Sequence, residues 1–137
     1  MWIAWYEWYP DYSYSFDTPV NISPGDTLKL TVNAFSNTSG LAMVENLTNG
    51  QTGSKYLNST YALCQKSAEW IVEDYQLDDG SFVPFANFSA VTFREAQAVG
   101  ASKTYTPFGS TIVDIAQNDQ IMTSVSTSDS TVTILRS

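Results

Sequence analysis

Glu69 and Glu73 stand four residues apart in the run Ala68-Glu69-Trp70-Ile71-Val72-Glu73-Asp74. Of all the side chains in the sequence, these are the best placed to do chemistry. Apolar and aromatic neighbours strip water from a carboxylate, penalise its charged form and raise its pKa. A carboxyl tuned in this way can take a proton from water and hand it on to a leaving group. A strand would put Glu69, Ile71, Glu73 and Tyr75 on one face and Ala68, Trp70, Val72 and Asp74 on the other. The same stretch also carries a helical stripe at Ala68, Ile71, Val72 and Tyr75, so the local pattern alone divides evenly between strand and helix. The carboxyls would lie roughly 13 Å apart along a strand, too far for direct coupling, so Glu69 takes no role. The plain alternative for Glu73 is a solvated strand carboxylate, or one paired with Lys.

A second cluster lies near the start, Trp5-Tyr6-Glu7-Trp8-Tyr9-Pro10. In a strand Trp5, Glu7 and Tyr9 share a face, where the two aromatics could hold substrate side chains and Glu7 could hydrogen-bond within a site. Packing in a core explains aromatics equally well.

Other chemistries are closed off by composition. The chain has 137 residues, no His and one Cys. Catalysis by Ser–His or Cys–His within the chain is therefore excluded, as is a His-based or all-thiolate zinc site; neither metal nor cofactor is expected. Six Lys and Arg against 14 Asp and Glu give a net charge of −8, which argues against a nucleic-acid partner. No apolar run reaches the roughly 18 residues of a membrane span. With carboxylates protonated, only six side chains and the N-terminus stay charged. Self-repulsion then remains modest, which suits an acidic workplace; a soluble acidic domain working near neutrality is the plainer reading.

The elements that must position these carboxyls read as strands. Residues 2–9 are almost continuously apolar, as in a strand buried on both sides. Residues 27–35 alternate, with Leu28, Leu30, Val32 and Ala34 on one face. Further strands are expected at 41–47, 54–57, 82–83, 88–93, 110–116, 121–126 and 131–135. Asn49-Gly50, Asp78-Asp79-Gly80 and Asn118-Asp119 supply turns. Many short strands with such turns predict an all-β fold, an antiparallel β-sandwich, formed as a single domain over residues 1–137.

The two clusters, taken with Gly25-Asp26, Glu45-Asn46-Leu47-Thr48-Asn49-Gly50-Gln51, Leu63-Cys64, Val83-Pro84-Phe85-Ala86, Val91-Thr92-Phe93 and Thr111-Ile112-Val113-Asp114-Ile115, resemble the glutamic peptidases (eqolisins), the secreted acid endopeptidases of fungi. The resemblance runs from about residue 2 to about residue 133. It implies a sandwich of concanavalin or jelly-roll type, with peptide or protein substrates bound on a concave sheet face and no cofactor. It places the family's catalytic Glu at Glu73, as general base toward a water that attacks the peptide carbonyl. Trp5, Glu7 and Tyr9 would line the substrate cleft. The family's second catalytic residue, a Gln, belongs upstream of the Trp5–Pro10 signature, and none of Gln51, Gln65, Gln76, Gln97, Gln117 and Gln120 matches its motif. The fold is accordingly expected to be incomplete, its exposed edges open to a homodimer or to a missing N-terminal segment. Cys64 would pair with a cysteine outside this chain.

Five Asn residues sit in glycosylation contexts: Asn21, Asn37, Asn46, Asn58 and Asn87. They suggest a secreted protein, although Met1 leads directly into strand-like sequence with no signal peptide. Two rivals stay open beside the peptidase: a non-catalytic β-sandwich that binds peptide or glycan, and a self-assembling structural domain.

Overall fold

Alternating and β-branched sequence does become strand. The structure, a computed structural model, describes residues 2–77 and 79–137. Asp78, part of one expected turn, lies outside them, as does Met1. Every strand pair is antiparallel, and no helix occurs among the described residues. Contacts divide the chain into two compact units, Met1–Ser67 and Ala68–Ser137.

In the first unit, β1 (Trp5–Glu7) pairs with β2 (Ser13–Ser15), while β3 (Leu28–Ala34), β4 (Ser39–Asn46) and β5 (Thr52–Asn58) form a sheet in the order β3-β4-β5. The period of two in β4 is complete: Gly40, Ala42, Val44 and Asn46 are buried and the residues between them half-buried. Phe16, Val20, Ala42 and Val44 make the core, flanked by Ala4, Tyr6, Ile22 and Leu57. Gly40 is needed there, because a Cβ would lie 2.6 Å from the carbonyl oxygen of Asn33. Gly50 takes a φ of 78° in the turn joining β4 to β5, as a glycine can at no steric cost.

One expectation fails in this unit. Residues 2–9 are not one strand buried on both sides: the strand covers only Trp5–Glu7, Trp2 makes a lone bridge to Ile22, and Trp2, Ile3, Trp5 and Tyr9 are exposed. The alternating strand expected over 27–35 is present as β3, its apolar face open, with Leu30 65% and Val32 88% exposed. Leu28, Leu30, Val32 and Ala34 stand opposite Asn46, Val44, Ala42 and Gly40, on the core-facing side of the sheet. The core cluster is built on β4, leaving the apolar residues of edge strand β3 uncovered.

In the second unit, β6 (Ala90–Arg94), β11 (Thr123–Thr127) and β12 (Thr131–Arg136) form a sheet in the order β11-β12-β6. Val132 and Ile134 are buried in its centre. Two short hairpins accompany it, β7 (Ala98–Val99) with β8 (Thr104–Tyr105), and β9 (Ala116–Gln117) with β10 (Gln120–Ile121). Asn118 and Asp119 turn the second hairpin with φ of 50° and 60°, the conformation that tight two-residue turns require. Residues 110–115 were expected as strand, but pairing begins only at Ala116.

The segment carrying Glu73 is likewise not a paired strand. Residues 62–75 run without turn or bend and without a ladder partner. Among the described residues, the one backbone hydrogen bond made by 68–75 runs from the Val83 N–H to the Tyr75 carbonyl, 3.1 Å. Side-chain exposure still alternates as a strand's would: Trp70, Val72 and Asp74 are half-buried, while Glu69, Ile71, Glu73 and Tyr75 are exposed. The chain extends, and its side chains partition by face, although no neighbour pairs with its backbone.

Candidate functional site

Glu73 borders an open hollow of about 280 Å³ in the second unit, lined by Glu73, Asp74, Tyr75, Val83, Pro84, Phe85 and Ala86. The two walls come from one stretch of chain folding back on itself. Gln76 bridges Phe82, and the Leu77 N–H donates to the Ser81 carbonyl at 2.8 Å. Gly80, with a φ of 83°, sits at the bend. The Gln76 side chain donates from Nε2 to the Gly80 carbonyl, 2.7 Å. Asp79 Oδ1 accepts from the Ser81 hydroxyl at 2.6 Å and from the Ser81 N–H at 2.9 Å. These bonds hold the Asp79 carboxyl below the usual carboxylate range, the Ser81 hydroxyl contributing most.

Each wall has its own anchor. On one side, Gln117 Nε2 donates to Asp74 Oδ1 at 2.8 Å, next to Glu73 in sequence. On the other, Arg136 at the end of β12 donates to the Ala86 carbonyl at 2.8 Å and to Asn87 Oδ1 at 3.0 Å. Its guanidinium lies 5.7 Å from the Phe85 ring centroid, within cation–π range. Phe85 meets Phe88 edge-on at 5.6 Å. These bonds hold a carboxyl-bearing edge beside an apolar wall. That arrangement can seat an extended apolar or peptide group beside a carboxyl able to exchange protons.

The residues expected to line the cleft belong to the first unit. Trp5 and Glu7 share the exposed face of β1, while Tyr6 turns inward, 5.1 Å from Phe16 and 6.0 Å from Tyr14 between ring centroids. Tyr9 lies beyond the strand, 81% exposed, so strand alternation does not carry it onto the Glu7 face. Trp8 is buried, and its indole N–H donates to the Tyr61 carbonyl at 2.9 Å.

Of the five glycosylation candidates, Asn21, Asn37, Asn58 and Asn87 are exposed. Asn46 needs correction: it is 1% exposed. Its Nδ2 donates to the Asn21 carbonyl and to Asp26 Oδ2, at 2.8 and 2.7 Å, and its Oδ1 accepts from the Thr48 and Asn49 N–H groups, at 3.0 and 3.3 Å. A side chain closed into the β4–β5 turn in this way cannot carry a sugar in the folded protein. Cys64 is an exposed free thiol among the described residues.

Sequence reasoning passed over Gln117 and Arg136. Gln117 directly precedes Asn118-Asp119, so its place at the mouth of a hairpin was readable, but its bond to Asp74 spans 43 residues. Arg136 had no signal beyond its charge.

The fold and the site together define an all-β protein of antiparallel sheets whose candidate chemistry is proton transfer by a carboxyl beside an apolar hollow. The chain belongs to the Peptidase A4 family, whose model matches residues 2–136. It is 46% identical over 133 residues to aspergillopepsin-2 of Aspergillus niger, a match covering 96% of this chain and 46% of that protein. The crystal structure of aspergilloglutamic peptidase from Aspergillus niger superposes with a TM-score of 0.90 at 45% identity, covering 98% of this chain and 79% of that one. A crystal structure of scytalido-glutamic peptidase with a peptide-based transition-state analogue gives a TM-score of 0.89 at 38% identity, covering 98% and 69%. The chain spans about half the length of the curated relatives it matches.

Proposed function

We propose that this chain carries the proton-handling half of an acid endopeptidase site, with Glu73 as the general base. The family match over residues 2–136 carries this reading, and the position of Glu73 on the edge of an apolar hollow supports it. Glu73 removes a proton from a water held beside the scissile carbonyl, the water attacks, and Glu73 returns the proton to the departing amine. The apolar wall of Val83, Pro84, Phe85 and Ala86 receives substrate side chains. An amide at the developing oxyanion would contribute about 100- to 1000-fold in rate. No Gln here stands in the family's motif, so the chain by itself cleaves weakly or not at all. Secretion, sugars on Asn21, Asn37, Asn58 and Asn87, a disulfide partner for Cys64 outside these residues, and a single domain over 1–137 belong to the same proposal.

The test pairs binding with turnover. A peptide-based transition-state analogue is titrated into the chain and into Glu73→Gln at acid pH, and both are incubated with a denatured protein. Weaker binding by the variant, with little cleavage by either, is the expected outcome. Strong Glu73-dependent cleavage would overturn the expected lack of activity. Binding that survives Glu73→Gln, with no cleavage at any pH, would replace the enzyme with a binding module.

A further inference from the structure

We propose that Gln117 is a positioning residue, whose amide latches Asp74 and thereby fixes the Glu73-bearing segment against its hollow in either charge state of Asp74. The need for a latch follows from the backbone. Residues 62–75 have no ladder, and the paired region begins only at the Gln76–Phe82 bridge. Upstream of that bridge, the hydrogen bonds holding residues 68–75, among the described residues, are the Tyr75–Val83 backbone contact and the Gln117–Asp74 side-chain contact. An extended segment without ladder bonds would otherwise sample many backbone conformations. Asp74 and Gln117 are both half-buried, so water competes poorly for their bond.

The latch is also well mounted. Gln117 sits on β9, paired with Gln120 of β10 across a two-residue turn. The Met122 N–H donates to the Ile115 carbonyl at 2.7 Å just below it. Thr123, 2% exposed, accepts from the Ile115 N–H at 2.8 Å and donates to Asp114 at 3.3 Å. The hairpin is thus tied to the root of β11, and the Gln117 amide projects from a braced element.

An amide is the partner chemistry calls for in an acid-working protein. It donates through Nε2 to a carboxylate, and after a flip its oxygen accepts from a protonated carboxyl. A Lys or Arg partner would lose its ion pair once Asp74 took up a proton. The titratable groups on residues 68–75 and on the 116–121 hairpin are Glu69, Glu73 and Tyr75 beside Asp74 and Asp119 beside Gln117; Cys64 and Lys66 lie further up the first segment, and Arg136 stands on the other wall of the hollow. The function of the latch rests on Glu73 being the reactive acid, but its existence does not.

The experiment is 15N relaxation on the full chain at pH 4 and pH 7. Wild type should show order parameters for Glu73, Asp74 and Tyr75 near the rigid value of about 0.85 at both pH values. Gln117→Ala should drop them below about 0.6, with Val132 and Ile134 of β12 unchanged, which separates loss of the latch from loss of the fold. Gln117→Glu should match wild type at pH 4, where two carboxyls can share a proton, and resemble Gln117→Ala at pH 7, where like charges repel. Asp74→Asn should keep the segment rigid, since its carbonyl still accepts. Unchanged order in Gln117→Ala, or the same behaviour of Gln117→Glu at both pH values, overturns the proposal. Neither result depends on peptide cleavage, so failure here and failure of the peptidase reading are distinguishable.

Discussion

At the scale of single residues, Asn46 shows how one amide can organise a turn. All four of its side-chain hydrogen bonds are made inside the protein, to Asn21, Asp26, Thr48 and Asn49. Replacing it with Ala leaves the Thr48 and Asn49 N–H groups without their acceptor and removes one donor each from the Asn21 carbonyl and Asp26 Oδ2, which keep Asn49 Nδ2 and the Ser23 N–H. At about 1 kcal/mol per net bond, Asn46→Ala should cost roughly 2–4 kcal/mol, read as a lowered urea midpoint with unchanged slope. Asn37→Ala, on an exposed side chain, should stay within about 0.5 kcal/mol. The sequence spelled Asn46 and Asn37 alike, as glycosylation contexts. Nothing in the three-letter motif distinguishes an open side chain from one closed into a turn, because the partners of Asn46 include Asn21 and Asp26, 25 and 20 residues away. Gln117 eluded sequence reasoning for the same reason. Glu73 stood out for the apolar and aromatic residues around it, which local sequence does show, yet its side chain lies on the exposed face of the segment.

At the scale of elements, turns were easier to read than the pairing of strands. Asn118-Asp119 specifies its own backbone and turns where expected, whereas Asn49-Gly50 closes a four-residue loop over 47–50 in place of a tight two-residue turn. Residues 68–75 have the alternation of a strand and its division into two faces, yet no partner. Pairing depends on a second segment, which local sequence does not describe. The turn that follows yields a prediction in pH. The folded pKa of Asp79 lies below its unfolded value, chiefly because the Ser81 hydroxyl bonds its charged form. Its contribution is therefore present above the unfolded pKa and lost as pH falls through the folded one. A carboxyl 13C titration should give Asp79 a lower midpoint than an ordinary Asp. Ser81→Ala should raise that midpoint part of the way back, since the Ser81 N–H still donates to Asp79. An unshifted midpoint in wild type would remove acid sensitivity from this bend.

At the scale of the whole molecule, charge and the open side of β3 act against each other. The net charge of −8 keeps copies apart at pH 7. The sequence pI is about 4.1, so that repulsion vanishes in the range where an acid peptidase would work. Leu30 and Val32 then stand exposed on an edge strand whose outer backbone groups have no partner within the sheet order β3-β4-β5. Such an edge pairs readily with a second copy. Sedimentation velocity should show association that depends on concentration, strongest near pH 4 and weaker at pH 7. It should weaken again near pH 2, where six Lys and Arg and the N-terminus leave a positive chain. Val32→Lys, at a side chain already 88% exposed, should abolish the maximum near pH 4 while changing stability by no more than about 0.5 kcal/mol. If the variant associates as wild type does, the contact between copies lies elsewhere than on β3.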